Sequence, residues 1–172
     1  MILLPNPKAE VRMSKVHHYR CRLGWAGSTA AGFDSYGREH RASCPPAGAE
    51  LRLSSDPAFL GDPSLLNPEQ LLLAAASSCQ MLSFLAFAAR ARIDVLSYVD
   101  EAEGVMPEDD KPMRITAIVL RPRIVVDGAD EQRVQHFIER AHEMCFIANS
   151  LKSEITIEPD IQFASAAASG GD

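Results

Sequence analysis

The residues of this chain best suited to chemistry are two cysteines. Cys79 stands in the middle of a run from Leu71 to Phe87 that is apolar on nearly every face. A buried cysteine is usually a small hydrophobe and turns nucleophilic only where its surroundings favour the thiolate. Two features argue for chemistry. Ser77, Ser78, Gln80 and Ser83 gather around Cys79, where a helix built only for packing would use Leu or Ala. Cys145 falls in register with Val134, Phe137, Ile138 and Ala141, at three- and four-residue steps that place it near the end of a core-facing helical stripe. The two sulfurs can therefore approach one another.

A thiol in mid-helix gains nothing from a helix N-terminus, so ionisation near neutral pH requires a nearby cation. Arg38 is a candidate. In Tyr36-Gly37-Arg38-Glu39-His40 a strand would place the guanidinium on one face with a phenol and an imidazole. The same pattern also describes an exposed arginine on an edge strand.

Other chemistries find little support. Cys21, on the apolar side of a strand, and Cys44, in a Pro-bounded loop, read as structural. His17 and His18 sit at a strand start and read as solvated. No two cysteines form a Cys-x-x-Cys pair, which weakens zinc and thioredoxin-like readings. His142-Glu143 lacks the second histidine of a metalloprotease helix, and there is no nucleophile elbow, phosphate loop or dinucleotide fingerprint. The acidic turn Glu108-Asp109-Asp110 reads as solvated.

The elements that must position these residues are legible. Asn67 is a good N-cap, Pro68 suits the first helical position, and Gln70 completes a capping box. The helix they start is long and uncharged enough to cross a bilayer. Its polar interruptions, and the absence of flanking Trp or Tyr, favour instead a central helix wrapped by sheet. Before it, Tyr19 to Trp25 alternates as a half-buried strand, and Ser35–Ser43 and Glu50–Leu53 read as further strands. After it, strands are expected at Asp94–Glu103 and Arg114–Val126. Pro122 should push the second of these to an edge or a bulge. Asp130 caps a second helix, and Glu154–Glu158 reads as a last strand. Segregated runs of this kind indicate an α+β fold.

With 172 residues, one domain is expected, here 16–163, with a flexible extension at 1–15 and a disordered tail at 164–172. A net charge of −6 argues against nucleic acid as a partner. The N-terminus is too short for a signal-peptide core, and four unpaired-looking cysteines then indicate a reducing, cytoplasmic compartment.

Asn67-Pro68-Glu69-Gln70-Leu71, with Cys79 ten positions after Glu69, resembles the signature of the OsmC/Ohr family of osmotically induced and organic hydroperoxide resistance proteins. Cys145-Phe-Ile-Ala-Asn-Ser-Leu stands where that family has its second cysteine. The resemblance implies an intertwined homodimer, two central helices enclosed by antiparallel sheets, and no membrane association. It implies a thiol peroxidase acting on organic hydroperoxides without haem, flavin or metal. Cys79 would be the peroxidatic cysteine, Cys145 the resolving one, and a lipoyl-type dithiol the reductant. Glu69 would partner a catalytic arginine, for which Arg38 is the best match and Arg41 the runner-up. The family usually has Pro directly after the second cysteine, where Phe146 stands here; the Ala-rich helix and the Tyr36-x-Arg38-x-His40 segment suggest an OsmC-like branch.

Helix arithmetic adds a constraint. Glu69 and Cys79 on one helix would be separated by roughly 15 Å along its axis and point about a quarter-turn apart. They can serve one site only if Glu69 comes from a second copy, or if the helix starts late and folds back. The rival function is a redox sensor or a stress protein holding an apolar ligand between Phe84, Phe87 and Phe146. A purely structural stress protein is the third reading.

Overall fold

The computed structural model describes residues 15–164. The extension and tail expected at 1–15 and 164–172 lie outside the described residues, save for Lys15 and Ala164. Strands β1 (Arg22–Gly24), β2 (His40–Ser43) and β3 (Glu50–Leu53) precede the long helix α1 (Pro68–Arg90). Strands β4 (Asp94–Asp100), β5 (Glu103–Val105), β6 (Ala117–Leu120) and β7 (Pro122–Asp127) follow, then helix α2 (Glu131–Glu143), then β8 (Glu154–Ile157) and β9 (Asp160–Phe163). The architecture is α+β, with three small sheets ordered β1-β2-β3, β4-β7-β9 and β5-β6-β8. The first sheet is antiparallel throughout. The other two each carry one parallel pair, β7 with β9 and β6 with β8, so the enclosing sheets are mixed and not purely antiparallel.

α1 begins as its sequence requires. The Gln70 N–H donates to Asn67 Oδ1 at 2.8 Å, and the Asn67 N–H donates back to Gln70 Oε1 at 3.1 Å. Only one stripe of the helix is buried: Ala76, Gln80, Phe84 and Ala88, four residues apart. Phe84 and Ala88 of that stripe pack with residues of α2 and β7, and Ala76 with residues of β6. Elsewhere α1 remains apolar but uncovered, with Leu82 60% exposed. The helix is long and apolar enough to cross a membrane, yet its buried stripe lies against protein.

Phe84 anchors a core with Ala88, Ile93, Ile124, Val126, Val134, Ile138 and Ala141, and Ala76 joins a second cluster with Ile118 and Leu120. Phe84→Ala should lower unfolding free energy by about 3–5 kcal/mol. Urea titration at fixed protein concentration measures this; a loss below about 1 kcal/mol would show that the core is placed wrongly.

Several expected strands differ. The Tyr19–Trp25 strand shrinks to β1, which is wholly exposed, so its Leu23 is left uncovered by the described residues. The Ser35–Ser43 strand begins only at His40, because Arg38 folds back on carbonyls of the preceding turn. The Asp94–Glu103 run divides into β4 and the start of β5. The Arg114–Val126 run divides at Arg121 into strands of two different sheets. Pro122 marks no edge: β7 is the central strand of its sheet, and proline is tolerated there as its first residue. Strand β9 was not anticipated. Cys145 lies just beyond α2, whose last residue is Glu143.

Candidate functional site

α1 presents Cys79 half-buried, on the flank next to its buried stripe. The thiol lines a groove of about 610 Å³. One wall is Ala75, Ser78, Leu82, Ser83, Ala86, Phe87 and Arg90 of α1. The other is Met144, Phe146 and Ile147 of the turn after α2. Phe87 and Phe146 are therefore groove residues as expected, but Phe84 is not; it is fully buried in the core.

Cys145 is 1% exposed. The turn it starts is tightly tied. The Asn149 N–H and the Asn149 side-chain amide both donate to the Cys145 carbonyl at 3.0 Å, and the Ala148 N–H points at Cys145 Sγ at 3.5 Å. Both cysteines are free thiols, and Cys79 lies near enough to Cys145 to act on its ionisation. Burial, first, pushes the Cys145 thiol above its ordinary range, against the opposing Ala148 N–H, and the Cys79 thiol adds to the rise. Cys145 therefore stays protonated at neutral pH. Iodoacetamide should label it only at pH above the range of a free thiol; labelling complete at neutral pH before any unfolding would contradict this.

The polar residues around Cys79 divide by role. Ser77 Oγ donates to Asp100 Oδ2 at 2.5 Å, and Asp100 Oδ1 accepts the Arg121 N–H at 2.7 Å. The Gln80 side-chain amide donates to the Ile138 carbonyl of α2 at 3.1 Å. Both side chains tie α1 to its neighbours and need no catalytic reason. Ser78 and Ser83 do line the groove. The polar signal read from sequence was therefore half structural.

The cation read from sequence is elsewhere. Arg38 donates to the Tyr36 carbonyl at 2.6 Å and to the Phe33 carbonyl at 2.7 Å. Its guanidinium lies over the Tyr36 ring at 4.1 Å and the Phe33 ring at 4.8 Å. With His40 it lines a separate cavity of about 330 Å³ that reaches Pro68, at the start of α1. The arginine, phenol and imidazole thus share a cavity, although a turn and not a strand assembles them. Arg41 pairs with Glu50 at 2.5 Å on the exposed side of β2. Glu69 is half-buried, and its Oε2 is enclosed with no hydrogen-bond partner. Within one protomer, then, Cys79 and Cys145 are brought together. Arg38 and Glu69 both lie toward the start of α1, away from Cys79, and make no pair with each other. α1 runs unbroken from Pro68 to Arg90, which removes the folded-back alternative for Glu69.

Leu82 and Ala86 were not singled out from sequence. Their signal was present: they stand three and seven residues after Cys79, on its face of the helix. Tyr98 was also missed. Its phenol is enclosed without a partner and is pushed well up by burial, then by Asp100 and Cys145 nearby. Among the described residues, no group of three His, Cys, Asp or Glu side chains is arranged to hold a metal ion.

Comparison with known proteins places this geometry among relatives. Residues 61–160 match the family of OsmC-like proteins. An organic hydroperoxide resistance protein of Xanthomonas axonopodis is 30% identical over 138 residues, which span 77% of this chain and 89% of that protein. The protein named peroxiredoxin OsmC of Escherichia coli is 28% identical over 92 residues, which span 54% of this chain and 64% of that protein. An OsmC-like protein of unknown function from Vibrio cholerae superposes with a TM-score of 0.76 at 32% identity, covering 84% of this chain and 99% of that one. An organic hydroperoxide resistance protein of Elizabethkingia anophelis, 16% identical with a TM-score of 0.63, shares the fold.

Proposed function

This chain belongs to the OsmC-like protein family, and from that premise we propose that it is a thiol peroxidase reducing organic hydroperoxides to alcohols. The observation that carries the reading is the pairing of a groove-lining Cys79 with a buried, protonated Cys145. The apolar groove suits the organic part of the substrate. The Cys79 thiolate attacks the distal peroxide oxygen, the O–O bond breaks, and the alkoxide leaves as the alcohol after taking a proton. Sulfur is oxidised by two electrons to a sulfenic acid. The Cys145 sulfur then displaces water from it and a disulfide forms. An external dithiol, of the lipoyl type in this proposal, returns two electrons and two protons by exchange.

Among the described residues, no cation lies close to the Cys79 thiolate within the protomer. Arg90 is the only Lys or Arg lining the groove, and it lies eleven residues along the helix, roughly 16 Å away. The proposal therefore includes a homodimer in which the α1 start of one copy brings Arg38 and Glu69 to the groove of the other. The enclosed, unpartnered Glu69 Oε2 and the uncovered apolar faces of α1 and β1 support it. The cytoplasm, whose reducing pool keeps the thiols free, is the proposed compartment.

A groove of this size also fits a sensor that binds an apolar ligand and oxidises once. Peroxide consumption with excess dithiol separates the two: an enzyme continues over many equivalents, with an alcohol formed for each. A trace that stops after one equivalent of peroxide per chain would make the protein a sensor.

A further inference from the structure

We infer that Cys21 and Cys44 form a second redox-active dithiol, which closes to a cross-strand disulfide by exchange with low-molecular-weight disulfides. Neither residue takes part in the proposed peroxide chemistry, and within one chain both are exposed, so neither fills a core position there. β1 and β2 pair antiparallel, with Arg22 opposite Ser43 as the outermost partners. The next residues outward on the two strands are Cys21 and Cys44, so the ladder sets them face to face. Opposed Cα atoms in an antiparallel pair lie about 4.5–5.5 Å apart, within the roughly 4.4–6.8 Å that a disulfide spans. Cys44 is near enough to act on the ionisation of Cys21.

The nearby Cys44 holds the Cys21 thiol above its ordinary range. Cys21 is therefore a poor peroxide trap at neutral pH and is better suited to slow thiol–disulfide exchange. Exposed Arg20 and Arg22 flank Cys21, which favours encounter with an anionic disulfide such as oxidised glutathione. One protein sulfur attacks the small disulfide, expelling one thiol and leaving a mixed disulfide. The other protein sulfur then displaces the second thiol. Two protein thiols are oxidised, one small disulfide is reduced to two thiols, and two protons balance the released thiolates.

Closure would staple β1 to β2 around the segment that holds Arg38. Trp25, just after β1, donates its indole N–H to the Gly37 carbonyl at 2.7 Å and meets the Tyr36 ring edge-on. Tyr36 in turn lies under the Arg38 guanidinium. The redox state of this pair thus bears on how firmly the arginine is held.

The test uses the full chain carrying Cys79→Ser and Cys145→Ser, which removes the other pair and keeps the outcome separate from peroxidase activity. The chain is equilibrated with glutathione of increasing disulfide share, acid-quenched, alkylated and peptide-mapped. The expected result is a Cys21–Cys44 linkage that grows with the disulfide share and reverts with dithiothreitol. Adding Cys21→Ala should replace it with a glutathione adduct held on Cys44; adding Cys44→Ala should leave the adduct on Cys21, which covers the event that one variant does not fold. Stable separate adducts on both cysteines of the parent background, or two free thiols under a large excess of oxidised glutathione, would overturn the inference.

Discussion

Cys79→Ser should consume cumene hydroperoxide at least on the order of 10³-fold more slowly than the parent chain in a single turnover. Serine keeps the volume and the groove, so the fold has no reason to change. What is lost is the nucleophilic sulfur that accepts the peroxide oxygen. Cys145 cannot substitute, because it is buried and held protonated. Cys145→Ser should differ in kind: the first turnover stays fast, and the sulfenic acid then persists and can be trapped with dimedone. A Cys79→Ser chain as fast as its parent would remove the proposed nucleophile, and with it the enzyme reading.

Mixing two dead variants should restore activity. Glu69→Ala and Cys79→Ser chains, unfolded and refolded together, should yield heterodimers with one intact site, giving about a quarter of the parent rate per chain if the copies pair at random. α1 sets this requirement. The helix is unbroken and properly capped at Asn67, so Glu69 and Cys79 of one chain stay roughly 15 Å apart along it. A composite site needs the carboxylate of one chain and the thiol of the other, as an isologous two-fold interface provides. If heterodimers demonstrably form and the mixture remains inactive, both groups act within one chain or Glu69 has no part in the reaction.

Local chemistry was legible wherever it was self-contained. The Asn67–Gln70 capping box, the Asp130 cap, and the stripe of Val134, Ile138 and Ala141 ending at Cys145 are determined by neighbours three or four residues away. What escaped depends on distant partners. β9 is mostly exposed and forms only because β7 offers it a parallel edge. The apolar side chains of β1 predicted burial, yet sequence cannot say whose surface would cover them. Ser77 and Gln80 looked like a polar site because their true partners, Asp100 and the Ile138 carbonyl, lie 23 and 58 residues on. The adjacency of Cys21 and Cys44 is likewise a matter of strand register, invisible until β1 and β2 are paired.

The single residue between β6 and β7 has an evolutionary consequence. Ile118, Leu120, Pro122, Ile124 and Val126 are all buried, so the parity of the alternation runs unbroken through Arg121 even though the chain changes sheets there. Spelling is less constrained at the exposed Arg123, and to a degree at the half-buried Val119 and Val125. Length is not. Losing or gaining one residue at this junction would turn every later side chain of β7 to the opposite face, exposing Ile124 and Val126 and pulling Arg121 from the carboxylates of Asp100, Glu103 and Glu158. Lineages of this fold can drift in letters along this stretch while its residue count stays fixed.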